Sequence, residues 1–231
     1  MPSAYRVSHL KIFAGIPFKK QGAVGSAPSR FGTLLGLQND PDWAQLQALP
    51  LDRDQVKKIC RDVAFPIEFG YISAMAWGMQ SAGNARMAWK QRARIADHLL
   101  QVRAGDLSPK DAFDLFCGTG KVAGLGPSYL TKLLYFFNPN DTCYIMDQWT
   151  GKSINLLTGK HLYIVDNTSA NTGDIYQAFC DEIDQLAKLL GQTGEEIEQR
   201  LFSQGGRKRE PWREYVRQHY PGNQSETRQV K

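Results

Sequence analysis

Val122-Ala123-Gly124-Leu125-Gly126-Pro127-Ser128 begins a stretch that returns, nineteen residues after Ser128, in Tyr144-Ile145-Met146-Asp147, and the reading of this stretch decides the fold. Glycine lacks a Cβ and tolerates positive φ, so the Gly124-Leu125-Gly126 pair suits a tight turn whose backbone must approach another group closely. A phosphate is the expected group. Pro127 stands where a missing N–H costs nothing, at the first position of a helix. Tyr129, Leu130, Leu133, Leu134 and Phe137 make that helix largely buried, and Asn138-Pro139-Asn140-Asp141 stops it. The apolar run from Cys143 to Met146 carries the chain back into the core and delivers Asp147, which is placed to cap a following helix.

Upstream, Ser108-Pro109-Lys110 reads as a capped helix start leading through Ala112, Phe113, Leu115 and Phe116, broken by Gly118 and Gly120. From Ala85 to Val102 a helical pattern sets Met87, Trp89, Ile95, Leu99 and Val102 against a basic side. Asp52 or Asp54 caps a helix through Cys60, and another follows Pro66 through Ala76, interrupted from Gly78 to Gly83. Residues 1 to about 50 mix glycine, proline and serine with short apolar pieces and read as an irregular arm. Downstream, His161 to Val165 suggests a short strand. An amphipathic helix runs from Ile175 to Leu190, a last core helix from Glu195 to Phe202, and a polar tail follows Gly205 with Trp212, Tyr215 and Tyr220.

At 231 residues, 42% of them hydrophobic, the chain can bury a full core. It has no apolar run long enough to span a bilayer, and its N-terminus lacks the features of a signal peptide, so the expected location is cytoplasmic, away from membranes. Cys60, Cys117, Cys143 and Cys180 form no Cys-x-x-Cys pair, and the four histidines show no ligand spacing; free thiols and no protein metal site are expected. The net charge is +5. Arg86, Lys90, Arg92, Arg94 and Arg103 face only Asp97 within their stretch, and Arg207-Lys208-Arg209 forms a second knot. Both suit a polyanion or, more simply, a solvated helix face. Phe116-Cys117-Gly118-Thr119-Gly120-Lys121 is not a nucleotide-binding loop, because Val122 stands where that motif needs Ser or Thr.

The order helix, Gly-x-Gly hairpin, helix, loop, Asp resembles the helix-hairpin-helix DNA glycosylases, in particular those with the 8-oxoguanine glycosylase fold. Their hairpin reads approximately Leu-Pro-Gly-Val-Gly where this chain has Val122-Ala123-Gly124-Leu125-Gly126. The resemblance implies a mostly α, two-lobed fold over residues 1–231 as one compact unit. An arm would cover about 1–50, a helical lobe 51–155 with the hairpin at 122–126, and a C-terminal helical part 156–231, with the active site in the cleft between lobes.

The resemblance also implies roles. Asp147 falls where these enzymes carry the catalytic aspartate, which stabilises positive charge on the sugar and activates water. Members that also cleave the strand carry a lysine two places beyond the second glycine. Here that residue is Ser128, which implies simple hydrolysis to an abasic site, while Lys132, one turn on, is the candidate for a shifted nucleophile or electrostatic aid. Gly124, Gly126 and Ser128 would grip the phosphate backbone through main-chain N–H groups. A monovalent cation on the hairpin carbonyls is common in such enzymes. Base extraction needs a wedge and stacking surfaces. Asn84 and Arg86, in the break from Gln80 to Arg86, are the wedge candidates, and Trp77, Trp149 and Trp89 the pocket candidates; single tryptophans also serve simply as core.

The expected partner is double-stranded DNA carrying a modified base, with no obligate protein partner. Two substrate classes follow from the resemblance. One is a bulky modified cytosine, such as glucosylated hydroxymethylcytosine, removed from phage DNA in antiviral defence; the irregular arm and Ser128 incline toward it. The other is 8-oxoguanine or another damaged base, in repair. A non-catalytic helix-hairpin-helix DNA-binding module would have no use for Asp147, and a purely structural helical protein none for the basic faces.

Overall fold

The computed structural model of the chain describes residues 5–165, 167–203 and 210–221. Among these residues every regular element is helical. The irregular arm of the sequence reading contains two short helices, α1 (Val7–Gly15) and α2 (Pro28–Leu34). Neither start has a side-chain cap, so the local signal is weak. What holds α1 is tertiary: Phe13 is fully buried, edge-on to Trp212 at 4.8 Å between centroids, and Arg6 N–H donates to Leu157 O at 2.8 Å. Between the two helices the arm crosses the end of α4 (Ile67–Trp77), where Ser26 N–H donates to Ala76 O at 3.1 Å.

α3 (Arg53–Arg61) begins with a reciprocal capping box between Asp52 and Gln55. It packs on α4 and on α8 (Pro127–Phe137), whose residues Leu130 to Phe137 are all buried. The helix expected from Ala85 to Val102 is two, α5 (Ala82–Trp89) and α6 (Arg92–Ala104). At the break, Gln91 uses its side-chain amide to bond Met87 O at 3.2 Å and Ala123 O at 3.4 Å, tying the kink to the hairpin. Met87, expected on the apolar side, is 46% exposed. α7 (Pro109–Asp114) starts on the Ser108 cap as read from sequence.

α9 (Gln148–Thr158) begins at Asp147 and packs against α1, α10 (Gly173–Leu190), α11 (Gly194–Phe202) and α12 (Pro211–His219). α12 corrects the expectation of a polar tail, since Trp212 and Val216 are buried within it. The strand expected over His161–Val165 is also absent. Two asparagine side chains take the part of a neighbouring strand: Asn155 both accepts from Tyr163 N (3.0 Å) and donates to Tyr163 O (2.8 Å), and Asn171 brackets Ile164 in the same way at 3.0 Å on each side. Satisfied locally, that backbone needs no ladder. Arg207-Lys208-Arg209 lies outside the described residues. No described helix is long and apolar enough to cross a membrane.

Candidate active site and hairpin groove

Asp147 is both a helix cap and a group facing a cavity, and its two oxygens divide the tasks. Oδ1 accepts from Trp149 N (2.7 Å), Thr150 N (3.0 Å) and Thr150 Oγ1 (3.4 Å), while Thr150 Oγ1 in turn accepts from Asp147 N at 2.9 Å. All of the carboxylate's hydrogen bonds to described residues fall on Oδ1, which leaves Oδ2 for a ligand. The side chain is 8% exposed, so a charge opposite Oδ2 is poorly screened by water.

Lys132 approaches the same space from α8. Its stem lies over Gly78, where a Cβ would come within 2.8 Å of Lys132 Cδ. The ammonium donates to Ser128 O at 3.0 Å and Ser128 Oγ at 2.9 Å. Burial lowers its pKa from the ordinary lysine value, against the opposing pull of the Asp147 and Glu198 carboxylates. A lysine amine must be neutral to act as a nucleophile, and desolvation moves it in that direction.

Both side chains line a cavity of about 290 Å³ whose other walls are Gln21, Val24, Trp77, Gly78, Met79, Trp149, Phe202 and Arg213. Trp77 is held rigidly, with the Arg53 guanidinium 5.1 Å from its ring centroid and Phe136 edge-on at 5.1 Å. The Arg213 guanidinium lies over Trp149 at 4.5 Å and over Phe202 at 4.9 Å, and burial lowers its pKa. Met79 stands at the lip, 54% exposed and in the left-handed region at φ 54°. Trp89 is elsewhere, stacked on Tyr71 and edge-on to Trp43 in a core cluster.

The hairpin borders a second, shallower groove of about 380 Å³, lined by Asn84, Gly124, Gly126, Pro127, Ser128, Tyr129 and Thr168. Gly124 has φ 87°, and a Cβ there would sit 2.3 Å from Asn84 O, so both backbone shape and packing require glycine. No side chain caps the α8 start, and a Cβ on Gly126 would meet nothing within 4 Å. The positive end of α8 is therefore open toward the groove. Arg86 reaches away from it, donating to Leu34 O at 3.3 Å.

Three of the carbonyls at the hairpin accept hydrogen bonds from side chains. Lys121 O accepts from Arg94 (3.3 Å), Ala123 O from Gln91 (3.4 Å) and Gly124 O from Gln80 (2.9 Å).

Residues 20–202 match the family model described as "Putative 8-oxoguanine DNA glycosylase OGG-like protein", a span that includes the hairpin, Lys132 and Asp147. The chain belongs to the OGG-like glycosylase family. Neither the curated proteins nor the solved structures contain a match. Membership in the OGG-like family supports DNA glycosylase activity and DNA binding in general.

Of the residues singled out in the sequence, the structure gathers Asp147, Lys132, Trp77 and Trp149 around one cavity and Asn84, Gly124, Gly126 and Ser128 around the neighbouring groove. Sequence reasoning missed Gln21, Met79, Phe202 and Arg213. Only Met79 had a local signal, as an apolar residue just after the helix-ending Gly78; the others reach the cavity through tertiary packing.

Proposed function

We propose that the protein excises a modified base from double-stranded DNA, with the extruded nucleotide seated in the Asp147 cavity. The observation that carries this reading is the convergence of Asp147, Lys132, Trp77 and Trp149 on one cavity beside an uncapped helix start. The α8 terminus and the groove of Gly124, Gly126 and Ser128 hold phosphates, and Asn84 lies along the same track. The exposed residues Arg86 of α5, Lys90 just after it, and Arg92 and Arg94 of α6 supply positive charge for the approach. Met79 replaces the expected residues Asn84 and Arg86 as the wedge filling the gap in the duplex. As the N-glycosidic bond breaks, its electron pair leaves with the base. Asp147 stabilises the cationic sugar through Oδ2 and orients the water that attacks C1′.

Lys132 supports a second step. Its amine reaches back to the Ser128 hydroxyl at 2.9 Å, beside the position where strand-cleaving relatives carry their lysine. Attack of that amine on the C1′ aldehyde of the ring-opened abasic sugar would expel water to give a Schiff base, and loss of a C2′ proton would then expel the 3′-phosphate and cleave the strand.

The substrate class put forward is a bulky modified cytosine, such as glucosylated hydroxymethylcytosine of phage DNA, with a role in defence. Ser128 in place of the strand-cleaving lysine is what inclines the reading toward it. The family description favours a second reading, 8-oxoguanine or another damaged base.

The test counts abasic sites on duplexes carrying oxidised, deaminated, alkylated or glucosylated-cytosine bases, with the wild type and Asp147→Asn. Sites on one substrate with the wild type alone establish activity and base together. DNA binding with neither abasic sites nor strand breaks on any substrate turns the reading to a non-catalytic binding module.

A further inference from the structure

Gln21 comes from the irregular arm, yet it is among the most firmly held residues of the cavity wall. It is 5% exposed, and its backbone N–H donates to Gln199 Oε1 at 2.9 Å. Its side-chain oxygen accepts from Arg53 Nε at 3.0 Å. Arginine has donors and no acceptors, so the atom facing it must be the amide oxygen, and the side-chain flip is fixed by chemistry. Arg53 cannot turn aside, because it is buried in a two-point contact with Glu198 and lies 5.0 Å from the Tyr135 ring centroid. The Gln21 amide nitrogen makes no hydrogen bond to any described residue, although the side chain lines the cavity. An amide oriented by a buried arginine, on a side chain that lines the cavity and with its donors unspent, is placed to meet an acceptor there.

We propose that Gln21 reads the extruded base by donating from its amide nitrogen to a carbonyl oxygen on that base. The inference rests on the reading of the cavity as a base pocket. It narrows the substrate to bases with a carbonyl on the recognised edge, which cytosine, guanine and their oxidised or substituted derivatives carry and adenine does not. Gln21 is therefore a specificity determinant, with Arg53 and Glu198 as the residues that position it.

Gln21→Glu is the discriminating variant. It keeps an oxygen toward Arg53 and the side-chain shape, and replaces the donor by an acceptor that opposes a carbonyl. The assay measures kcat/KM for excision of single 8-oxoguanine or glucosylated hydroxymethylcytosine residues. Each base is also presented with each carbonyl oxygen in turn replaced by sulfur, a weak acceptor. Gln21→Glu is expected to lose on the order of 10- to 100-fold on the oxygen base. One sulfur replacement should slow the wild type by a similar factor and leave Gln21→Ala, which has no donor to lose, unchanged relative to its own oxygen base.

Excision by the wild type that both variants match overturns the inference alone. So does a wild type indifferent to every sulfur replacement, a readout that needs no variant to fold. Failure of the wild type to excise any base overturns the base-pocket reading and this inference with it.

Discussion

Lys132 Nζ reaches back one turn along α8 and donates to the Ser128 hydroxyl at 2.9 Å, so an amine stands beside a position whose own side chain is only a hydroxyl. Ser128 holds the motif position and Lys132 follows one helical turn later, and the spacing of i and i+4 on a helix keeps them adjacent. Borohydride should therefore trap the wild type on DNA containing a preformed abasic site, and Lys132→Ala should abolish trapping. Because burial lowers the Lys132 pKa, the neutral amine appears at a lower pH than for an exposed lysine. The trapping rate should rise with pH and reach half its maximum below the ordinary lysine value of about 10.4. A midpoint at or above that value, or trapping that survives Lys132→Ala, removes the amine from the chemistry.

Asp147→Asn keeps the α9 cap, since asparagine caps about as well as aspartate. The variant should unfold at nearly the wild-type temperature and bind DNA normally, while excision falls by roughly 100- to 1,000-fold, the scale of losing one preorganised electrostatic partner. Asp147→Ala adds the loss of the cap, about 1 kcal/mol, visible as an additional drop in the urea midpoint. Equal excision by wild type and Asp147→Asn would leave the residue as a cap alone.

The buried pair Arg53–Glu198 predicts a large, asymmetric stability effect. Both side chains are almost wholly buried, at 1% and 0% exposure. Glu198→Leu strands an uncompensated guanidinium and should cost about 3–5 kcal/mol in urea unfolding. The double change Arg53→Met, Glu198→Leu removes both charges and should recover most of that loss. It would also release Gln21 from its fixed orientation, so stability should return without the excision rate. Recovery of both together would separate Gln21 from the ion pair.

What the sequence made legible was local. Gly124, Pro127 and the apolar face of α8 encode a turn and the helix it opens, and the short return from Asn138 to Asp147 places the carboxylate at the next helix start. Distant chain segments build the rest of the cavity. Gln21 arrives by way of the arm's passage over α4, and Phe202 and Arg213 come from the end of α11 and from α12. None of these shows a periodicity or spacing that relates it to Asp147. The misread strand at His161–Val165 has the same origin. Its apolar pattern suits a strand, but its hydrogen-bond partners are the side chains of Asn155 and Asn171, and β-propensity does not encode side-chain pairing of that kind.

Met79 combines a left-handed backbone with an exposed place on the cavity wall. A non-glycine residue at φ 54° pays a left-handed backbone cost, here at an exposed position on the lip of the cavity. Strain of this kind persists where the surroundings or the function demand it. Met79→Gly removes both the strain and the side chain. It should raise stability by about 1 kcal/mol, less the extra entropy of glycine in the unfolded chain. The same change removes the proposed wedge, so excision from a fully paired duplex should slow. Excision of the same base from single-stranded DNA, where nothing has to be held apart, should change little. Equal slowing on single- and double-stranded substrates would make Met79 part of the pocket wall instead of the wedge. A variant that is less stable than the wild type would mean that methionine packing at the lip outweighs the backbone cost.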